Sequence, residues 1–198
     1  MLHDAPVVLV GPMAVGKSAV GRMLAQRTGS RFVDTDRVIV ERHGSIPAIF
    51  DRDGEEGFRA LEAAVVAEAL VPGAVVSLGG GAVLHEGTRH RLAAAVVVFL
   101  DTDLATVLPR ITGDSARPLL AGRPAERWQE LYDARRPVYR ALADVVIDCR
   151  RMSVRRTTDA ILQELPPGDD PPPARQARND QSDGARTASP PHLTNEHT

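Results

Sequence analysis

The stretch GPMAVGKS, residues 11–18, restricts the architecture more than any other part of the chain. It fits the spacing G-x-x-x-x-G-K-[ST] and follows the apolar run VVLV (7–10). Glycines let a strand end curl so that successive amide groups point inward at phosphate oxygens, and a helix starting at the lysine adds the positive end of its dipole. The motif therefore demands a strand before it, a helix after it and a sheet that holds both. Lys17 is expected to reach the outer phosphates of a nucleoside triphosphate, and the Ser18 hydroxyl to ligate Mg2+. The alternative for this segment alone is a glycine-rich turn that binds nothing.

Four further runs, FVD (32–34), VVSL (75–78), VVVFL (96–100) and VVID (145–148), are apolar without alternation, as strands covered on both faces are. Segments with helical spacing separate them, such as Ala19-Val20-Met23-Leu24 and Phe58-Leu61-Val65-Val66-Leu70. Strand followed by helix, repeated, predicts a parallel sheet between helical layers in one domain, 1–165. From Pro166 the chain turns to Pro, Asp, Asn, Ser and Gly with scarcely an apolar residue, so 166–198 is expected to be a disordered tail. A net charge of −2 supplies no broad basic field, so neither nucleic acid nor an anionic membrane is an expected partner. No run of about 20 apolar residues predicts a membrane span, and the start lacks the pattern of a secretion signal. The single cysteine, Cys149, reads as a small filler at a strand end and fits a reducing cytosol. The six histidines show no zinc spacing, and Trp128 has no basic interleaving that would stack bases.

A phosphate loop serves motors, GTPases and small-molecule kinases alike. The size of the domain and the absence of N-K-x-D and T-K-x-D tetrads favour a small-molecule kinase. TGDSARPLLAGRPAER (112–127) interrupts the strand–helix rhythm and is too polar for a core. It is expected to supply a lid, at about 112–124, that excludes water from the phosphates. Arg117 is the candidate lid charge, with Arg123 and Arg127 behind it; ordinary surface arginines on an exposed loop are the alternative.

GPMAVGKS, DTD (34–36), GEEGFRALE (54–62), SLGGGAV (77–83), RPLL (117–120) and RRPVYR (135–140), in this order and at these separations, resemble the shikimate kinase family. The resemblance runs from residue 7 to about 165. It implies a three-layer P-loop NTPase fold of the nucleoside-monophosphate-kinase type, with a five-stranded parallel sheet in the order 2-3-1-4-5. The implied activity is ATP-dependent phosphorylation of the shikimate 3-hydroxyl, on the route to chorismate and aromatic amino acids, by a cytoplasmic monomer that uses ATP and Mg2+. A gluconate-type kinase and a nucleotide-binding protein without turnover are the competing readings.

On this resemblance Gly11, Pro12, Met13, Ala14, Val15, Gly16, Lys17, Ser18 and Ala19 wrap the phosphates, Arg110 contacts adenine, and Lys17 and Arg117 stabilise charge on the transferring group. Ser18 and Asp34 position Mg2+, whereas Asp36 orients the acceptor hydroxyl. Arg59 and Arg135 hold the shikimate carboxylate, and Gly79, Gly80 and Gly81 line the acceptor pocket. Read without the resemblance, the two aspartates suit a helix cap, and Arg59 with Glu62 suits a surface ion pair. Arg136 remains a second candidate for the clamp, though the R-x-P-x-Y spacing favours Arg135. Ala14 and Ala19 depart from the common pattern without removing a needed hydroxyl or ammonium.

Overall fold

Five short runs become strands β1 (Val7–Val10), β2 (Phe32–Asp34), β3 (Val75–Ser77), β4 (Val96–Asp101) and β5 (Val145–Asp148) in a computed structural model that describes residues 4–111 and 122–165. All pairings are parallel, in the expected order β2-β3-β1-β4-β5. Val7 lies between Val75 and Val96, and Val8 between Val76 and Val97. Because successive strand residues face opposite sides, the central valines divide between two cores. Val8, Val10, Val76, Val97 and Phe99 pack on one face, beneath α3 (Ile46–Ala69), α4 (Glu86–Leu92), α5 (Leu104–Ile111) and α6 (Pro124–Leu142). Val7, Leu9, Val75, Val98 and Leu100 pack on the other, beneath α1 (Lys17–Thr28) and α7 (Val154–Glu164). Each large side chain taken from water there contributes about 1.5–3 kcal/mol.

One expectation needs correction. β5 is covered on one face only: Ile147 is buried while Val146 is 47% exposed, and among the described residues this strand ends the sheet. The long helix α3 is interrupted at Gly54, whose φ of 70° and ψ of −174° are not helical, so the spacing that begins at Phe58 describes its second part. The first part packs with α2 (Thr35–His43) around Ile39, Ile49 and Phe58. Of the expected lid, residues 112–121 with Arg117 lie outside the described residues, as does the expected tail, 166–198.

β1 hands the chain to Gly11, where φ is 144° and a Cβ would stand 2.6 Å from the Leu100 carbonyl oxygen of β4. Backbone cannot withdraw as a flexible side chain can. Gly29, after α1, also has positive φ, 68°, but nothing lies within 4 Å of its notional Cβ. Gly11→Ala is therefore expected to cost roughly 2–4 kcal/mol from overlap plus strain, and Gly29→Ala about 1–2 kcal/mol from left-handed strain alone. Urea unfolding of the two variants tests this; equal losses would show that the close approach to β4 carries no weight.

Candidate active site

The site lies where parallel strands end, and the strand order divides it. The phosphate loop follows β1 at the centre; Asp36 and the glycines follow β2 and β3 on one side, and the segment from Cys149 follows β5 on the other. One cavity of about 850 Å3 joins these parts and is lined by Lys17, Asp36, Arg59, Arg110, Arg135 and Cys149, among others. Cys149 is buried and its thiol pushed up to about 12, chiefly by burial, so it packs as the expected strand-end filler.

Within the loop, the Lys17 ammonium donates to the Gly11 and Pro12 carbonyls at 2.8 and 2.9 Å, and the side chain reaches the cavity from the first turn of α1. Arg110, expected at adenine, lines the cavity while donating to the Ala14 carbonyl at 2.9 Å and the Val15 carbonyl at 3.4 Å. Ala14 has a φ of 66°, a left-handed conformation that explains why glycine suits this position. Ser18 is exposed on the same helix and also lines the cavity.

The two aspartates separate. Asp34 caps α2, its Oδ1 accepting from the Arg37 amide at 3.3 Å, whereas Asp36 faces the cavity from the first turn of that helix. The capping alternative thus describes Asp34. Among the described residues no group of three or more His, Cys, Asp or Glu gathers to hold a metal ion. Of the two residues expected at Mg2+, Ser18 lines the cavity and Asp34, engaged as the cap of α2, does not; a hydroxyl and a carboxylate are oxygen ligands of the kind that suits an ion keeping most of its waters.

Around Asp36, two of the three glycines, Gly79 and Gly81, are crowded by the ends of charged side chains. A Cβ on Gly79 would lie 2.5 Å from both Asp36 Oδ1 and Glu62 Oε1, and one on Gly81 2.5 Å from Arg59 Nη1. Arg59 donates to Glu62 at 2.6 Å, and Glu62 is only 2% exposed, so this is no surface ion pair. Burial lifts the Glu62 carboxyl above its ordinary range, against the opposing pull of Arg59, with Asp36 raising it further and Arg135 lowering it. Arg135 is 7% exposed and lines the same cavity. Both arginines and Asp36 therefore share one hollow with Lys17.

Of the neighbouring arginines on α6, Arg135 lines the cavity and Arg136 does not. Arg136 leaves the cavity and donates to Asp101 at the end of β4 at 3.0 Å. Arg140 reaches the same carboxylate at 3.2 Å, and the Tyr132 hydroxyl donates to its other oxygen. Burial raises the Asp101 carboxyl, and these donors more than reverse it, holding it below the ordinary range. Tyr139 donates to the Gly80 carbonyl, and Trp128 Nε1 to the Met13 carbonyl at 3.0 Å. Reasoning from sequence missed these supports. Their signal was present: Trp128, Tyr132, Arg135 and Tyr139 are spaced 4, 3 and 4 residues apart, one face of a helix.

Comparison with known proteins agrees with this geometry. A family model described as shikimate kinase matches residues 13–166. A shikimate kinase from Thermobifida fusca (strain YX) is 45% identical over 166 residues, covering 82% of this chain and 96% of its own length. One from Halorhodospira halophila (strain DSM 244 / SL1) is 47% identical over 167 residues, covering 81% and 94%. The solved structure of shikimate kinase from Acinetobacter baumannii in complex with shikimate has a TM-score of 0.77 and 37% identity, covering 80% of this chain and 91% of that one. A gluconokinase from Sinorhizobium meliloti 1021, with a TM-score of 0.55 and 17% identity over 81% of this chain and 91% of its own, shares the fold.

Because folded Glu62 binds its proton more tightly than the unfolded chain does, its contribution to stability is greatest at low pH. That contribution falls as pH rises from the ordinary value of 4.5 through the raised folded value. Glu62→Gln cannot titrate, and Arg59 stays charged throughout. The melting temperature of the wild type minus that of the variant should therefore decline as pH rises above the ordinary value of 4.5; a constant difference would refute the burial effect.

Proposed function

The chain belongs to the shikimate kinase family, and on that premise we propose that it transfers the γ-phosphoryl group of ATP to the 3-hydroxyl of shikimate. The products are ADP and shikimate 3-phosphate, on the route to chorismate and the aromatic amino acids. One observation carries this reading: Asp36, Arg59 and Arg135 line the same cavity as Lys17. A cyclic acid needs a fixed cation for its carboxylate and an acceptor for its hydroxyl proton, and both stand beside a phosphate loop.

The residues 11–19 hold the nucleotide phosphates through backbone amides, and Lys17 swings from its loop carbonyls to the β- and γ-phosphates. Arg59 and Arg135 clamp the shikimate carboxylate and so aim its 3-hydroxyl, while the backbone of Gly79, Gly80 and Gly81 admits the ring closely. Asp36 accepts a hydrogen bond from that hydroxyl and takes its proton late, as the new O–P bond forms and the bond to ADP breaks. A loose phosphoryl-transfer transition state asks little more of a base. Ser18 and Asp34 would hold Mg2+, which would neutralise charge on the phosphates. Arg110 serves the adenine, and Arg117 closes with the lid to supply positive charge on the transferring group. The family reading supports a small-molecule partner and a monomer in the cytoplasm, and the modest net charge supplies no broad field for nucleic acid or an anionic membrane. No helix among the described residues is long and apolar enough to cross a membrane.

Offered Mg-ATP in a coupled ADP assay, the protein is expected to release ADP with shikimate and not with gluconate. Release with gluconate alone would replace the acceptor. Asp36→Asn is expected to lower kcat by about 10²-fold or more while nucleotide affinity, measured by calorimetry, stays the same; unchanged turnover would remove Asp36 from its role.

A further inference from the structure

Five consecutive carbonyls of the phosphate loop, from Gly11 to Val15, accept side-chain hydrogen bonds. Lys17 takes the first two and Arg110 the last two. The middle one, of Met13, is held at 3.0 Å by Trp128, which comes from α6 and stands 115 residues away in sequence. In a planar trans peptide the carbonyl and the following amide point to opposite sides. Holding the Met13 carbonyl therefore fixes the direction of the Ala14 amide, in the middle of the phosphate cradle. The same peptide leads into the left-handed turn at Ala14, a conformation that persists only where the surroundings determine it.

Trp128 is itself immobilised. It is 1% exposed and stacks on Tyr132, with ring centroids 4.9 Å apart and planes inclined by 17°. The Tyr132 hydroxyl is fastened to Asp101. Filling this part of the core needs only an apolar ring; the indole adds a donor that must find a partner when buried. The partner it has found is a loop that lines the cavity.

We propose that Trp128 is a positioning residue for the nucleotide: its indole N–H holds the Met13 carbonyl away from the cavity, so that the Ala14 amide is presented to the phosphates. The inference rests on the nucleotide-binding reading above but not on the identity of the acceptor.

The test is ADP binding by calorimetry, with KM values for ATP and shikimate, for the wild type and Trp128→Phe, which keeps the stacking and loses the donor. One neutral hydrogen bond predicts that the Kd for ADP and the KM for ATP rise about 3–10-fold, with the KM for shikimate unchanged. Because Trp128 is the only tryptophan of the chain, biosynthetic replacement by benzothienylalanine changes this one N–H to sulfur and keeps the ring shape. That protein should show the same weakening, and it decides the matter if Trp128→Phe fails to fold. Unchanged ADP affinity, or equal weakening toward ADP and shikimate, overturns the proposal and leaves Trp128 a core residue. A wild type that binds no ADP would instead bring down the nucleotide reading itself.

Discussion

A carboxylate almost wholly removed from water governs the acceptor half of the cavity. Left unpaired, Glu62 would be destabilised by several kcal/mol, an order of magnitude set by the loss of hydration. Arg59 donates to it directly, and Arg135 acts on it through space from a different helix. With Asp36 the group holds two carboxylates and two guanidiniums, so its formal charge cancels before any ligand enters. Arg59 is thereby fixed in advance, and on the proposed reading an arriving anion meets a donor that has little freedom left to lose. The same crowding explains Gly79 and Gly81: side chains there would occupy the space of these charged groups.

The second organising element is α6. From one face it fastens the phosphate loop through Trp128, the end of β4 through Tyr132 and the acceptor loop through Tyr139, while Arg135 lines the cavity between them. Arg136 and Arg140 add to the attachment at Asp101. The phosphate loop and the loop of Gly80 follow separate strands, and a stiff helix bonded to each sets their separation. Positioning of this kind is most of what a protein contributes to phosphoryl transfer.

Much of this was legible in the residues. Unbroken β-branched runs gave the strands because central strands of a parallel sheet are buried on both sides, and the phosphate loop declared itself because its glycines and lysine are tied to one backbone path. β5 escaped that rule since its run is as apolar as the others and nothing local reveals that it stands at the edge. The different placements of Asp34 and Asp36 could not be read from spacing, since cap and cavity differ by two residues and by the direction of a helix start. The shared helix face of Trp128 and Tyr132 was there to read, but not what it meets: their partners, Met13 and Asp101, lie 115 and 31 residues away, and no periodicity reports such meetings.

The way the sheet stops bears on how the molecule behaves in a crowded solution. Its outer strands, β2 and β5, are three and four residues long, and each terminates in an aspartate, Asp34 and Asp148. Beyond β5, Arg150 folds back onto Asp148 at 2.5 Å, setting a charged pair beside the exposed Val146. Short borders that end in charge offer a neighbouring chain too few free backbone groups to template a sixth strand, and so guard against aggregation.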